Sequence, residues 1–209
     1  KDFYKKISKN LIKALTRRRM EASYANTAEQ AKEELLAMIP DGKNVYRCGS
    51  MTLLEMGFWE ALKERPKVEV IDPFDPGLSP EESLNERVRG LSADFLVTGT
   101  NAIALDGRLV NLDRTGNRVA SMIFGPKKVI LAVGMNKVAP DLDSAMAMVK
   151  HHAAPITASM VRAKTPCTTD GKCHDCRHPD RLCNAWSIIE GQLIEGRIHV
   201  KLIGEDLGY

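Results

Sequence analysis

Short apolar runs separated by helix-patterned stretches constrain the fold of this chain more than any other feature. "KNVYRCG" (43–49), "KVEVID" (67–72), "ADFLVTGT" (93–100) and "KKVILAVG" (127–134) are strand-length and rich in Val, Ile and Leu. Runs that are mostly apolar on both faces suit strands covered on both sides of a sheet. Between them, "MTLLEMGFWEALKER" (51–65) reads as a helix stopped by Pro66, and a charged helix at about 80–91 follows the Pro- and Gly-rich "DPFDPGLSP". Strands alternating with helices predict an α/β fold.

The flanks fill in around this core. Residues 3–20 and 28–38 read as helices, the second opened by Thr27 and Gln30 at capping-box spacing. They define an N-terminal helical part, 1–40, packed on or part of the main domain, 41–209. "NAIALDGRLVNLD" sets Asp106-Gly107 between two apolar runs, a hairpin signal. A helix is expected over "DLDSAMAMVKHHAA" (141–154), a short helix near 184–191, and a final strand in "GRIHVKLIGEDLG". The expected architecture is one α/β domain with a helical N-terminus and a cysteine-rich loop, 165–184, before the last strand.

Composition limits the classes available. The chain has 209 residues, 44% hydrophobic and 27% charged, enough to bury a core without covalent staples. No apolar run approaches the roughly 20 residues that span a bilayer, so no membrane span is expected. No secretory h-region or cleavage site is visible, which points to the cytoplasm. The net charge of +3 is uneven, with +7 in residues 1–20 and −4 in the rest. A basic segment can meet nucleic acid, but no basic–aromatic stripe accompanies it, and Tyr4, Ile7, Leu11 and Leu15 fit an amphipathic helix with a solvated basic face. Nucleic acid is therefore not expected as a partner, and a homo-oligomer is compatible with the sequence.

The densest motif is "TPCTTDGKCHDCRHPDRLCN", with Cys167, Cys173, Cys176 and Cys183 in a C-x5-C-x2-C-x6-C pattern. In a reducing compartment such a cluster points to metal or redox chemistry rather than to structural disulfides. Four soft thiolates suit Zn²⁺ or an iron–sulfur cluster such as 4Fe-4S, and the spacing does not choose between them. Reversible disulfides or reduced surface cysteines are the bland alternative. Cys48, at a strand end, reads as a small buried hydrophobe.

A second constellation lies at the expected C-terminal ends of strands: Gly49-Ser50, Thr100-Asn101, Gly116-Asn117-Arg118 and Asn136-Lys137. Ligands of open α/β sheets bind at such ends, and glycines let backbone N–H groups approach an anion. These residues are therefore expected to bind a small carboxylate or phosphorylated ligand, Arg118 in fork geometry. Each segment is also a good turn sequence. No Walker A loop, no G-x-G-x-x-G after a strand and no Ser–His–Asp pattern is present.

Taken together, "GSMTLLEMG", the stretch from "TGTNAIALDG" through "TGNRVASMIFGPKKVILAVGMNKVAPDLDSA", the cysteine segment and the closing "EDLG" resemble the lactate utilisation domain (LUD) family, the LutC/YkgG-like proteins. The resemblance runs from about residue 25 to the end. It implies a fold like that of the NagB/RpiA/CoA-transferase group and a role beside iron–sulfur and flavoprotein partners in L-lactate oxidation. That company leans the cysteine site slightly toward iron–sulfur. Coenzyme A transferases of this fold use a strand-end glutamate, whereas the comparable strand here ends in Thr100-Asn101, which speaks against a glutamyl-thioester mechanism. Glu55 and Asp113 are the nearest candidate acid or base groups, and either can instead brace a loop. The alternative function is a non-enzymatic assembly or electron-transfer subunit that docks on such a partner.

Overall fold

In the computed structural model, residues 2–209 are described. The chain runs α1 (Asp2–Arg17), β1 (Glu21–Ala25), α2 (Ala28–Ala37), β2 (Asn44–Arg47), α3 (Met51–Glu55), α4 (Phe58–Lys63), β3 (Glu69–Ile71), α5 (Pro80–Arg89) and β4 (Phe95–Thr98). It continues through β5 (Ala102–Ala104), β6 (Leu109–Asp113), α6 (Asn117–Ile123), β7 (Lys128–Gly134), β8 (Val138–Ala139), α7 (Leu142–Met148), α8 (Ala154–Met160), α9 (Cys167–Asp170), β9 (Ala185–Ile189) and β10 (Ile198–Ile203).

Six strands form one parallel sheet in the order β1-β10-β7-β4-β2-β3. Its centre holds the apolar runs, and Leu96, Val97 and 129–133 are fully buried. Burying one such side chain contributes about 1.5–3 kcal/mol. One face packs on α1 through Leu11 and Leu15 and on the inner side of a second sheet through Ile103, Leu109 and Ile189. The opposite face is covered by α2, α3 and α4, with Leu35, Leu53, Phe58 and Trp59 in contact with the sheet layer. The second sheet, β8-β5-β6-β9, backs onto α7 through Ala145 and the adjoining Val149. The expected α/β class is thus the observed one.

Local chemistry accounts for the element ends. Thr27 caps α2 by accepting from the Gln30 N–H, and Ser79 with Glu82 forms a complete capping box before α5. The Asp106-Gly107 hairpin forms as expected, with Gly107 at φ 92° and its N–H donating to the Ala104 carbonyl. The single helix expected over 51–65 is two, because Gly57 adopts a left-handed φ of 63° between them.

Two other expectations need correction. The segment near 184–191 is not a helix but β9, antiparallel to β6. Its exposed Trp186 and Ile188 alternate with buried Ser187 and Ile189, the period of two that a strand imposes. Between the two N-terminal helices lies an unexpected strand, β1, paired in parallel with β10 at the sheet edge. The helix expected to stop at 154 also continues: a π-helical turn, Val149–Ala153, joins α7 to α8. Pro155 has no N–H to offer the carbonyl one turn back, which supplies a cause for the irregular turn.

Because the sheet is parallel, the C-terminal ends of β2, β4 and β7 open on the same edge. From β2 the chain first adds β3 on one side and then crosses to place β4 on the other. That reversal creates a switch point, where neighbouring strand-end loops diverge and leave a crevice.

Candidate functional site

A cleft of about 770 Å³ occupies this switch point. Its floor is made by Gly49-Ser50 after β2, Gly99 to Asn101 after β4, and Lys137 after β7. Close approach of the two loops needs Gly99, since a Cβ there would lie 3.0 Å from Ser50 Oγ and 3.3 Å from the Ala132 carbonyl oxygen. Ser50 itself caps α3, its hydroxyl accepting from the Leu53 N–H at 3.4 Å. The mouth is apolar, with Leu54, Phe74, Leu84, Met160 and Val161 on its walls.

Most of the polar residues expected to bind a ligand are engaged with one another. Arg118, only 9% exposed, donates from Nε to Asp113 Oδ1 at 2.9 Å, from Nη1 to the Gly99 carbonyl at 3.1 Å and Asn111 Oδ1 at 2.8 Å, and from Nη2 to Asn101 Oδ1 at 2.7 Å. The other oxygen of Asp113 accepts from the Arg118 and Val119 N–H groups, both at 3.1 Å, which caps α6. Thr100 turns its hydroxyl inward, toward Asn111 Oδ1 at 3.1 Å. Asn101 Oδ1 also accepts from the Leu112 N–H at 3.0 Å. The result is a neutral, buried brace that ties β4, β6 and α6 together behind the cleft wall. Asp113, considered above as an acid or base, is spent on Arg118 and on the helix start.

Lys137 differs. It is 4% exposed and lines the cleft, and its Nζ donates to Thr52 Oγ1 at 2.8 Å. Among the described residues no other hydrogen-bond acceptor is recorded for that ammonium, which has three donors. Burial, reinforced by the nearby Arg118 charge and opposed by Glu55, pushes the Lys137 pKa down to about 8. A buried ammonium with donors to spare is poised either for an anion or for proton loss.

Beside it, residues 207–209 fold back over α3. Asn136 holds this strip, accepting from the Leu207 N–H at 3.1 Å and donating to the Gly208 carbonyl at 2.9 Å. Glu55 accepts from the Gly208 N–H at 2.7 Å. Neither Asn136 nor Glu55 lines the cleft, whereas Tyr209 does, its hydroxyl against the Met160 sulfur. Gly116 also stands off the cleft and starts α6 at φ 90°, a conformation that favours glycine. Asn117 lines the cleft while donating to the Tyr46 hydroxyl at 2.8 Å and contacting Cys48 Sγ at 3.6 Å. Burial pushes the Cys48 thiol up to about 12, as suits a small core residue.

The other four cysteines converge. Cys167, Cys173, Cys176 and Cys183 all line one small cavity of about 20 Å³, together with Lys150 and Arg181. They come from α9, the loop after it and the approach to β9. Burial pushes the Cys183 thiol above its usual range, Lys150 opposes this, and Cys173 adds to it. Among the described residues no three His, Cys, Asp or Glu side chains are closed around a single point as an ion requires. The donor chemistry, four thiols lining one cavity beside Lys150 and Arg181, is nonetheless of the soft kind that Zn²⁺ and iron–sulfur clusters take. Cys183 lines both this cavity and the large cleft.

Four cleft residues gave no signal to sequence reasoning, Phe74 and Leu84, in and after a stretch read as a connection, and Arg87 and Arg114, read as surface charge; nor did Thr52, which meets Lys137 from inside a helix. The one available hint was α5, whose Leu84 and Val88 are apolar positions with no core to enter, since the helix buries no residue at all.

A crevice at the switch point of a largely parallel sheet, its back wall braced by a buried Arg–Asp pair, places the molecule among open α/β proteins with a ligand-sized strand-end cleft. More narrowly, the chain belongs to the LUD domain family, whose sequence model matches residues 8–203. Among solved structures, a DUF162 family protein from Deinococcus radiodurans is similar in fold, with a TM-score of 0.53 at 15% identity over 96% of this chain and 98% of that one. The Pyrococcus horikoshii OT3 translation initiation factor eIF-2B overlaps 55% of this chain and 48% of its own at a TM-score of 0.36 and 20% identity, too weak a likeness to bear on function. No curated protein matches the sequence. Among the described residues no helix is long and apolar enough to cross a membrane.

Proposed function

We propose that this LUD-domain protein binds a small carboxylate- or phosphate-bearing compound in the strand-end cleft, in the service of lactate oxidation, and holds an iron–sulfur cluster, in preference to zinc, at its four clustered cysteines. The observation that carries the first part is Lys137. With Arg118 neutralised by Asp113, its ammonium is the unbalanced charge on the cleft floor. Arg87 adds positive charge to the lining, Arg114 is paired with Asp180, and among the described residues Asp113 is the single side-chain carboxylate in the lining. An anion entering the cleft gains a charge-assisted hydrogen bond from Lys137 in a site shielded from water.

In this reading the chain's own residues do three things. Lys137 holds the anionic group, Thr52 orients the ammonium, and the apolar mouth excludes water once the cleft is filled. Cys167, Cys173, Cys176 and Cys183 would hold the cluster, which when bound supplies one-electron transfer. Cys183, common to both cavities, would make the ligand and that centre neighbours. Lys150 and Arg181 oppose the rise that burial imposes on the Cys183 thiol.

Calorimetric titration with L-lactate, pyruvate and inorganic phosphate tests the cleft: at least one binds the wild type, and Lys137→Met weakens it by about tenfold or more. If none binds, the anion site is wrong. Anaerobic purification with iron, sulfide and zinc analysis tests the cysteines, where a brown iron-bearing protein supports the cluster and absence of both metals removes it. A second reading, an assembly or electron-transfer subunit docking on an iron–sulfur or flavoprotein partner, is favoured by β9, an edge strand that follows the cysteine loop and shows Trp186 and Ile188 to solvent. Lactate turnover by the chain alone with an artificial electron acceptor speaks against it.

A further inference from the structure

The size and lining of the cleft say more about the ligand than the Lys137 corner does. A three-carbon hydroxy acid has six non-hydrogen atoms and occupies on the order of 100 Å³, taking the liquid volume of water as a generous share per atom. The cleft measures about 770 Å³, within the range that encloses ligands several times larger. The excess space is walled by apolar side chains interrupted by Ser83, Arg87, Arg114, Thr115 and Thr157. Outward from Lys137 the walls are Leu54, Phe74, Leu84, Met160, Val161 and Leu182.

These side chains come from four separate segments, and several are unusually open for their type: Leu84 and Val161 are each 53% exposed and Phe74 is 44% exposed. None is needed to cover the main core. Phe74 also carries the Arg87 guanidinium 5.3 Å from its ring centroid and that of Arg47 at 5.6 Å, so its ring is held in place by two cations. The cleft thus has two ends of different chemistry, a buried cation at the floor and a fixed apolar band at the mouth.

Resting on the anion-binding reading above, the geometry points to a ligand with two parts: a carboxylate that meets Lys137, and a bulky apolar or aromatic arm that lies against Phe74, Leu84 and Val161. The ligand class is a carboxylic acid with a large apolar or aromatic substituent, larger than a three-carbon acid. Removing the arm and these walls from water supplies affinity that a methyl group cannot.

Isothermal titration of the full chain with L-lactate and L-3-phenyllactate tests this. Phenyllactate binds tighter by about tenfold or more, from the apolar area of a ring. The double variant Leu84→Ser/Val161→Ser, altered at exposed positions that leave the core intact, loses that preference, read as the ratio of the two affinities within the same variant. Lys137→Met weakens both ligands. Equal affinities for the two acids in the wild type overturn the apolar-arm proposal and leave the anion site standing, as does a preference that survives in the double variant. Failure of both acids to bind overturns both ideas.

Discussion

Arg118 and Lys137 are two buried cations on the wall of one cleft, and they have opposite fates. The guanidinium of Arg118 meets a carboxylate, two side-chain carbonyls and two backbone carbonyls at hydrogen-bond distance. Lys137 meets one hydroxyl. Burial alone therefore does not mark a functional charge; what marks it is burial with donors left over. A planar fork of five donors is suited to tying several loops together, whereas a compact ammonium left beside an opening can serve a guest.

The largest expected effect comes from breaking the saturated partner. Arg118→Met leaves Asp113 buried and unpaired, and urea denaturation should show a loss of about 3–5 kcal/mol. Lys137→Met should leave stability unchanged or raise it by about 1–3 kcal/mol, because it removes a buried charge whose pKa is depressed. That contrast reverses in binding, where the Lys137 variant loses anion affinity.

Acidity sharpens the same contrast. Anion binding by the wild type should weaken as pH rises through about 8, where Lys137 gives up its proton, and the Lys137→Met variant should show no such step. Stability moves the other way. Between about 8 and the lysine's ordinary 10.5 the unfolded chain holds more protons than the folded one, so raising pH through that window stabilises the wild type relative to the variant. Chemical denaturation of both proteins across that range checks the sign. The smallest effect belongs to Asn136→Ala, which frees the strip at 207–208 on one side while Glu55 still holds it. About 1 kcal/mol of stability should be lost, with faster amide exchange at Leu207.

These residues also show how far the sequence could be read. Apolar runs announced β2, β4 and β7 because a central strand is written in its own residues, and the Asp106-Gly107 pair announced its hairpin for the same local reason. β1 was invisible, since "EASYA" is polar enough to pass for a linker and becomes a strand through its pairing with β10. The cleft was foreseen as a place, at the strand ends. Its division of labour was not, because the partners of Arg118 lie as far as 19 residues away in sequence and no local pattern reports that Asn101 and Asn111 turn toward it. The four cysteines were legible as a cluster, and their adjacency to the cleft through Cys183 emerges only from the fold.

The π-helical turn at Val149–Ala153 ties these two cavities to one mechanical part. Val149 at its start lines the cleft and Lys150 the cysteine cavity; beyond it Ala154 lines both, Pro155 the cysteine cavity, and Thr157, Met160 and Val161 the cleft. A turn of this kind carries about one residue more than a regular helix. Deleting a single residue there would rotate everything downstream by about 100° relative to everything upstream. One codon would therefore re-aim Thr157, Met160 and Val161 relative to Val149 and Lys150, which makes this turn the place where the two halves of the helix are set against both cavities.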